Sequence, residues 1–354
     1  MRRRNALMGM VALAGHANMS GLGASRPLII GHRGSSGERP EHTISAYRRA
    51  IKQGADAIEP DLVMTRDGVL VCRHENEISG TTDVAARPEF AERRRENTVD
   101  GVTATGWWTE DFTLAELKTL RCRERLAQLR PANTAFDRQD EILTLAEAFA
   151  LVQAHGLMLV PELKHVSYLK SIGLDPIPAL VETVRAAGAQ RAADIAIVEC
   201  FEISPLVELA SMSSMRWRCA QLMAPRSGPI DRPDLTYEQM ITDEGLRAIR
   251  EYAVAIGVEK AMLVPRDNQN RALKPTDLAM RAHAADLQVI VWTFRAENLF
   301  LPPHLRRGDP NASDYMLQHG DLETELREFY ALGVDGVFAD FPAIAVAARR
   351  SVRP

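Results

Sequence analysis

Three features of this 354-residue chain predict an α/β protein, a TIM (β/α)8 barrel with a long insertion between the early strands. Short β-branched runs alternate with longer helical stretches, which is typical of a parallel sheet covered by helices. About eight such units follow one another, and a TIM barrel needs eight. No Gly-x-Gly-x-x-Gly turn follows the first strand, which disfavours the main alternative, a doubly wound open sheet.

The alternation assigns the elements in order. Strands are predicted at 28–31, 57–63, 68–73, 157–163, 195–201, 218–223, 254–258, 288–293 and 335–339. Helices are predicted at 42–53, 113–120, 144–155, 175–187, 204–212, 243–252, 275–285 and 321–331. Helix 113–120 begins with Thr113-x-x-Glu116, a pattern typical of a capping box.

Residues 75–140 interrupt this alternation. They contain one short predicted helix and a charged run at 92–96. Loops this long inside a compact domain are usually functional or disordered. We therefore expect an insertion over the barrel mouth, with the charged run on a solvated face. Trp107 and Trp108 either form a lid or pack the insertion onto the barrel.

Composition restricts the classes of function. Hydrophobic residues make up 46% and charged residues 25% of the chain, which excludes disorder and a polytopic membrane protein. There are 47 acidic and 43 basic residues, giving a net charge of −4, whereas a general nucleic-acid binder has a basic excess. We expect no nucleic-acid partner and no stable membrane insertion. The sequence does not define the oligomeric state.

The N-terminus has the parts of a secretory signal peptide. Met1-Arg2-Arg3-Arg4 is basic, residues 6–14 are largely apolar, and small residues follow. The apolar run is too short to span a bilayer. We therefore expect residues 1–24 to be removed and 25–354 to form one domain that is periplasmic or secreted. The alternative is an unfolded N-terminal arm.

The four cysteines indicate no metal ribbon or redox pair. Cys72, Cys122, Cys200 and Cys219 are too far apart for either. Cys72 and Cys200 lie in apolar runs and are predicted to be buried in the core. Export would permit a disulfide, whose pairing the sequence does not define.

The first strand ends in a His-Arg-Gly motif, His32-Arg33-Gly34. In a TIM barrel the carboxyl ends of the strands hold the active site. A histidine there can transfer a proton near neutral pH, and an arginine supplies a fixed bidentate cation.

Two acidic residues lie two positions apart on the next strand. Glu59 and Asp61 therefore face the same side of that strand, toward the barrel interior, where their charges repel each other. A divalent cation between them offsets the repulsion. Ligation by oxygen alone favours Mg²⁺ or Ca²⁺ over zinc. The alternative is an acidic pair that faces solvent.

Further polar residues end the following strands. His74 follows the strand at 68–73, and Glu162 and Lys164 end the strand at 157–163. Because buried charges need partners, this combination does not fit a packed apolar core. It fits phosphodiester cleavage, in which a metal and basic side chains stabilise charge on the phosphoryl oxygens. One histidine would take a proton from the nucleophile and the other would give one to the leaving alkoxide.

These residues belong to a longer pattern that resembles the glycerophosphodiester phosphodiesterase family. Its early part consists of His32-Arg33-Gly34, Pro40-Glu41-His42-Thr43, Gly54-Ala55-Asp56, Ile58-Glu59-Pro60-Asp61-Leu62, Thr65-Arg66-Asp67-Gly68 and His74. Its later part consists of Pro161-Glu162-Leu163-Lys164, Val291-Trp292-Thr293 and Asp335-Gly336-Val337-Phe338-Ala339-Asp340-Phe341-Pro342. The resemblance covers residues 27–348. Asp61-Leu62-Val63-Met64-Thr65, Thr82-Asp83-Val84-Ala85, Phe112-Thr113-Leu114 and the long insertion resemble the periplasmic branch.

The resemblance implies a TIM-barrel enzyme that hydrolyses deacylated phospholipids, such as glycerophosphocholine, to glycerol 3-phosphate and an alcohol. It implies that His32 and His74 are the acid–base pair and that Glu59, Asp61 and Glu162 hold the metal. The periplasmic branch usually prefers Ca²⁺ and other members prefer Mg²⁺. We therefore expect a divalent cation, with Ca²⁺ favoured over Mg²⁺.

The resemblance also implies a substrate-binding set. Arg33 and Lys164 would bind the phosphate, and Glu41 would lie near the metal or the glycerol hydroxyls. Trp292 and Phe341 would line the pocket wall, although Trp292 could equally be a core residue.

Three positions depart from the family pattern. Glu75 and Gly80 stand where an Asp and an Arg are common, and Pro60 between two metal carboxylates is unusual for a central strand. They affect the substrate preference more than the reaction. Outside the pattern of catalytic groups, Asp340 is expected to orient a neighbour, and His42 to be a structural residue at a helix start.

Two alternatives stay open. One is a phospholipase with the same barrel that acts on intact lipids by attack of a neighbouring hydroxyl. The other is a non-catalytic phosphoester-binding protein. Both histidines and all three carboxylates are present, which disfavours the second alternative.

Overall fold

The computed structural model describes residues 26–188, 197–213 and 215–350, so the predicted signal peptide at 1–24 lies outside the described residues. The strands are β1 Leu28–His32, β2 Ala57–Glu59, β3 Asp61–Met64, β4 Leu70–Cys72, β5 Arg95–Val99, β6 Val102–Gly106, β7 Met158–Leu159, β8 Glu162–Leu163, β9 Val198–Cys200, β10 Cys219–Met223, β11 Ala255–Glu259, β12 Gln288–Phe294 and β13 Gly336–Ala339. The α-helices are α1 Ile44–Gln53, α2 Leu114–Leu117, α3 Leu145–Ala154, α4 Val166–Ser171, α5 Pro176–Ala186, α6 Ile203–Ser211, α7 Tyr237–Met240, α8 Asp243–Arg250, α9 Lys260–Leu263, α10 Leu278–Ala284, α11 Leu322–Ala331 and α12 Pro342–Arg349.

Eight parallel strands close into a barrel, which confirms the predicted fold class. Pro60 separates β2 from β3, and Val160-Pro161 separates β7 from β8. The ladder continues across both breaks, because Val160 N donates to Ile58 O (2.8 Å) and Glu162 N donates to Pro60 O (2.9 Å). With each broken pair counted as one strand, the order is β1, β2/β3, β7/β8, β9, β10, β11, β12 and β13. β13 pairs again with β1 and closes the ring.

The predicted strand at 68–73 is not a barrel strand. It is β4, which pairs antiparallel with β3, from Leu62 opposite Cys72 to Met64 opposite Leu70. The connection is a tight turn in which Gly68 has φ 81°. Such a turn can join only antiparallel strands, since a parallel pair needs a long crossover. β4 therefore returns the chain toward the barrel, and the residues after it reach the site from this hairpin.

The predicted helices form with shifted ends. α1 begins at Ile44, two residues later than predicted, because His42 is left-handed (φ 54°) and the Thr43 side chain caps the helix by accepting from Ala46 N. Its capping glycine, Gly54, has φ 87°. The predicted strand at 195–201 is Val198–Cys200, and its residues 195 and 196 lie outside the described ranges.

The capping box predicted at the start of helix 113–120 is confirmed. The Thr113 side chain accepts from Glu116 N, and the Glu116 side chain accepts from Thr113 N. The helix ends after one turn, at Leu117.

Residues 75–140 contain more regular structure than the single short helix that was predicted. β5 and β6 form an antiparallel hairpin, and this region has its own buried apolar cluster, which includes Phe90 and Phe112. Trp107 belongs to that cluster and donates to Phe90 O (2.6 Å). Trp108 is buried and donates to Arg95 O (3.2 Å). The cluster that contains Trp107 also includes Val63 of β3 and so packs the region onto the barrel, as one of the two alternatives predicted, whereas the hydrogen bond of Trp108 lies within the region.

Side chains of the barrel strands point alternately outward and inward, and they form one apolar core beneath the helices and another inside the barrel. On β1, Ile29 packs in the large cluster beneath the helices, whereas Leu28 and Ile30 pack inside the barrel with Phe338. Because successive side chains point to opposite faces, His32 follows Leu28 and Ile30 on the inner face. The same rule directs the ends of the other strands into the mouth of the barrel.

Two further features concern the cysteines and the apolarity of the helices. All four cysteines are buried and unbridged. Within the described ranges, none of the helices combines the length and apolarity needed to cross a bilayer.

The last helix is tied to the first two strands by Asp56, which precedes β2. The Asp56 carboxylate accepts from Ile29 N (2.8 Å) and forms an ion pair with Arg349 of α12. Arg349 also donates to Pro27 O (2.9 Å). Residues at both ends of the described chain thus meet at one carboxylate.

We expect Asp56→Ala to lower the free energy of unfolding by about 2 kcal/mol, because it removes a charge-assisted hydrogen bond and leaves Ile29 N without its acceptor. Urea denaturation followed by circular dichroism measures the change. Glu182→Ala, at an exposed glutamate on α5, is the control and should change stability by less than about 0.5 kcal/mol. Equal stability of the two variants would contradict the role of Asp56.

Candidate active site

A cavity of about 430 Å³ lies at the carboxyl ends of the barrel strands. It is lined by His32, Arg33, Glu59, His74, Glu162, Lys164, Glu199, Phe201, Leu222, Trp292, Thr293, Arg295 and Phe338. Seven of the ten predicted site residues are therefore brought together at one cavity. These seven are His32, His74, Arg33, Lys164, Glu59, Glu162 and Trp292.

His32 is held at the cavity by Asp340. Its Nδ1 donates to Asp340 Oδ1 (2.6 Å), since a carboxylate can only accept, and Nε2 is left with its lone pair. Asp340 also accepts from Arg130 Nη2 (2.5 Å) and Arg295 Nε (3.1 Å). Although burial opposes ionisation, these arginines hold the pKa of Asp340 well below its usual value. Burial and the neighbouring Arg33 lower the pKa of His32 to about 4, so its ring is neutral at pH 7.

His74 is held in the same manner by the residue that follows it. Its Nδ1 donates to Glu75 Oε1 (2.5 Å), and Glu75 Oε2 accepts from Arg125 Nη2 (2.5 Å). Burial, Arg33 and Lys164 lower the pKa of His74 to about 3, which leaves this ring neutral as well. Glu75, which departs from the family pattern, therefore performs a positioning role with its longer side chain.

Each histidine is thus hydrogen-bonded to a carboxylate that is in turn held by an arginine. In the first set Asp340 lies between His32 and Arg130, and in the second Glu75 lies between His74 and Arg125. Both arginines come from residues 75–140 and lie five positions apart. This region therefore contributes directly to the orientation of both rings.

Two cations form the positive side of the cavity and share Asp61. Arg33 Nε lies 3.0 Å from Asp61 Oδ2, and Lys164 Nζ lies 3.3 Å from Asp61 Oδ1. Lys164 Nζ also lies 2.6 Å from Glu162 Oε1. Burial opposes ionisation of Asp61, but Lys164 and Arg33 hold its pKa well below the usual value. Asp61 is therefore a carboxylate whose charge is already compensated.

Three glutamates form the negative side. One carboxylate oxygen each of Glu59, Glu162 and Glu199 lies within 4.8 Å of the others, and all three side chains are buried. Burial and the neighbouring Asp61 raise the pKa of Glu162 to about 8. Burial and nearby carboxylates also raise the pKa values of Glu59 and Glu199 well above normal. A hard divalent cation, which prefers oxygen ligands, fits this set of donors because it offsets their repulsion.

Three predicted site residues lie beside the cavity and not among the residues that line it. Asp61 is fully buried between the cations described above. Glu41 accepts from Arg125 Nε (2.9 Å) and Arg33 Nη1 (3.1 Å). Phe341 packs against Gly37, where a Cβ would come within 2.3 Å of its ring, and lines a second cavity.

His42 has the structural role that was predicted for it. It is fully buried at the start of α1, and its Nε2 donates to Asp61 Oδ2 (2.9 Å). Its Nδ1 accepts from the Tyr47 hydroxyl (3.0 Å). The ring therefore fixes the position of Asp61 from behind the cavity.

Four residues at the site were not predicted from the sequence: Glu199, Arg125, Arg130 and the cavity-facing Arg295. A signal existed for Glu199, because it lies on a predicted strand two residues from Ile197, which packs inside the barrel. No local pattern distinguishes Arg125 or Arg130 from the other arginines of residues 75–140. Their roles depend on contacts with residues distant in the sequence.

Residues 32–344 match the profile of the Glycerophosphoryl diester phosphodiesterase family. The chain is 34% identical over 349 residues to glycerophosphodiester phosphodiesterase GDPD6 of Arabidopsis thaliana, covering 93% of this chain and 87% of that protein. It is 25% identical to a glycerophosphodiester phosphodiesterase of Haemophilus influenzae, covering 91% and 89% of the two chains. Its fold is similar to that of a phosphodiesterase of Oleispira antarctica solved in complex with the product sn-glycerol-3-phosphate. That similarity has a TM-score of 0.61 at 21% identity and covers 92% of this chain and 98% of that one.

We expect Ca²⁺ to raise the melting temperature, because a divalent cation offsets the repulsion among the three glutamates. At a free concentration 100 times the dissociation constant, the stabilisation should be about 2.7 kcal/mol. Differential scanning calorimetry measures the shift, and excess EDTA should reverse it. KCl at equal ionic strength is the control for general screening. A Ca²⁺ effect no larger than that of KCl would contradict a cation site.

Proposed function

The chain belongs to the glycerophosphoryl diester phosphodiesterase family, and we propose that it hydrolyses glycerophosphodiesters such as glycerophosphocholine by metal-dependent histidine acid–base catalysis. Its enzyme class is glycerophosphodiester phosphodiesterase, a phosphoric diester hydrolase. The proposed products are sn-glycerol 3-phosphate and the alcohol of the head group. One observation carries the proposal: two neutral, oriented histidines line the same cavity as two cations and a cluster of buried carboxylates.

The substrate phosphate would bind on the positive side of the cavity. Arg33 is held by Glu41 and Asp61, and Lys164 by Asp61 and Glu162, so both cations are fixed before substrate arrives. Fixed cations stabilise developing charge without reorganising during the reaction. We propose that Arg33 and Lys164 contact the phosphoryl oxygens and that Glu41 acts through Arg33.

Glu59, Asp61 and Glu162 would hold the divalent cation. A cation there supplies Lewis-acid stabilisation of charge on the phosphoryl oxygens. All of these donors are carboxylate oxygens, which suit Ca²⁺ and Mg²⁺. We favour Ca²⁺, on the resemblance of the chain to the periplasmic branch.

The histidines would transfer the protons. Each ring donates through Nδ1 to its carboxylate and retains a lone pair on Nε2. One Nε2 takes the proton of the attacking hydroxyl as the new P–O bond forms. The other histidine, in its protonated form, gives its proton to the leaving alkoxide as the old P–O bond breaks, so the protons balance. Arg33 lowers the pKa of both rings, and a bound phosphodiester anion would offset this effect and favour protonation of the acid.

The head group would lie against the apolar wall. Trp292 and Phe201 line the cavity with their rings edge to face (centroids 5.8 Å apart), and Phe338 lies at the same cavity. Aromatic faces accommodate alcohols of different shapes and attract quaternary ammonium groups. Phe341 would contribute through the second cavity, where Arg130 lies 5.6 Å from its ring centroid.

We also propose that residues 1–24 direct export, which makes the mature enzyme periplasmic or secreted. A basic start followed by a short apolar run supports this. Mass spectrometry of the N-terminus of protein recovered from a periplasmic fraction tests it. Retention of residue 1 in that fraction would contradict removal of the segment.

His32→Ala and His74→Ala should each lower kcat for glycerophosphocholine by about 10²- to 10⁴-fold, because each removes one proton-transfer group. The measurement is release of sn-glycerol 3-phosphate, with and without EDTA. His155→Ala, at an exposed histidine that ends α3, is the control and should retain wild-type turnover. Near-wild-type turnover of either site variant would contradict the acid–base assignment. Undiminished turnover after thorough metal removal would contradict the metal requirement.

The products of the His74→Ala variant also report the nucleophile. Accumulation of a cyclic glycerol phosphate would assign the attack to the substrate's own 2-hydroxyl, and its absence would assign the attack to water. Phosphorus NMR distinguishes the two products.

A further inference from the structure

We infer that Glu199 is a fourth carboxylate ligand of the divalent cation, in addition to Glu59, Asp61 and Glu162. The inference rests on the proposed function, since it concerns the same site. Glu199 lies near the end of β9, beside the strand that carries Glu162, and the two residues are register partners. Adjacent parallel strands therefore present both side chains to the same part of the cavity.

The Glu199 carboxylate is buried without compensation. Its side chain is 1% exposed, and its Oε2 has no hydrogen-bond partner. Among the residues that the structure describes, no Lys, Arg or His nitrogen lies within 4.0 Å of it. Other buried carboxylates near the mouth differ in this respect, because Asp340 is held by Arg130 and Glu41 by Arg125. An ionised carboxylate at this position is costly without a cation, and Glu59 and Glu162 provide further oxygen ligands for one beside it.

Around the three glutamates, the acidic side chains outnumber the basic ones that contact them. Glu59, Asp61, Glu162 and Glu199 contribute four negative charges when ionised, and Arg33 and Lys164 contribute two positive ones. The remaining charge of −2 is that which one Ca²⁺ or Mg²⁺ neutralises.

The neighbouring strands place two small residues and a leucine beside Glu199. Ala220 on β10 is the register partner of Glu199. Gly257 on β11 is the register partner of Leu222 on β10. A Cβ on Gly257 would lie 3.9 Å from Glu199 Oε2 and only 2.4 Å from Leu222 Cδ2. The Leu222 side chain therefore fills the space beside Gly257, close to the carboxylate.

The test is calorimetric titration of metal-free protein with Ca²⁺ alone. Glu199→Gln has nearly the same shape as the native residue and removes only the charge. We expect it to weaken Ca²⁺ binding at least about tenfold, since the affinity of an oxygen site depends on the charge of its ligands. Glu202→Gln is the matched control, because Glu202 is also buried, follows the same strand, and accepts from Ser167. Its Ca²⁺ affinity should stay within twofold of wild type.

Thermal unfolding separates a ligand from a structural residue. Metal-free Glu199→Gln should melt at or above the temperature of metal-free wild type, because a buried carboxyl group without a counter-cation is gone, and Ca²⁺ should raise its melting temperature less. A lower melting temperature with unchanged Ca²⁺ affinity would overturn the inference and make Glu199 a structural residue.

A third variant distinguishes failure of this inference from failure of the proposed metal site. If Glu162→Gln loses Ca²⁺ binding while Glu199→Gln retains wild-type affinity, only the role of Glu199 is overturned. If both variants bind Ca²⁺ like wild type, the metal site of the proposed function is itself overturned.

Discussion

Excess negative charge buried at the barrel mouth is the constraint on which the site depends. Carboxylates removed from water need a counter-charge nearby, and an arginine or lysine supplies it for most of them. Arginine holds Glu41, Glu75 and Asp340, and Arg33 with Lys164 holds Asp61. At the centre, Lys164 contacts Glu162, whereas no arginine or lysine side chain in the described part of the chain forms an ion pair with Glu59 or Glu199, so this cluster could bind a cation. These ion pairs also hold both histidine rings and the side chains of Arg33 and Lys164 in place, so the contacts that compensate the buried charge also preorganise the site.

Successive side chains of a strand point to opposite faces, and this rule explains which parts of the fold and the site could be predicted. Leu28, Ile30 and His32 point the same way on β1, so an apolar interior and a polar mouth follow from one sequence pattern. Glu59, Glu162 and Lys164 follow the same rule on their strands. The fold class and most of the cavity residues could therefore be predicted, because both depend on local periodicity. Family resemblance added roles that periodicity alone does not assign.

The parts that could not be predicted depend on tertiary contacts. The β4 hairpin has the composition of a barrel strand, and only its tight turn distinguishes it from one. Arg125 and Arg130 have no local pattern, because their partners are separated from them by tens to hundreds of residues along the chain. The inward-facing position of Glu199 could be predicted, but its place beside Glu162 could not. That place follows from the register between neighbouring strands, which the sequence of one strand does not define.

The short spacing between Arg125 and Arg130 has a consequence for how activity is lost. Segments outside a barrel open at a lower free energy than the barrel itself unfolds. If the stretch that carries both arginines detaches, Glu75 loses Arg125 and Asp340 loses Arg130 in the same event, while Asp340 keeps its contact with Arg295. Inactivation by this route therefore weakens the support of both rings at once, and more strongly that of His74. It also precedes global denaturation, so an assay would register the failure while the folded barrel persisted.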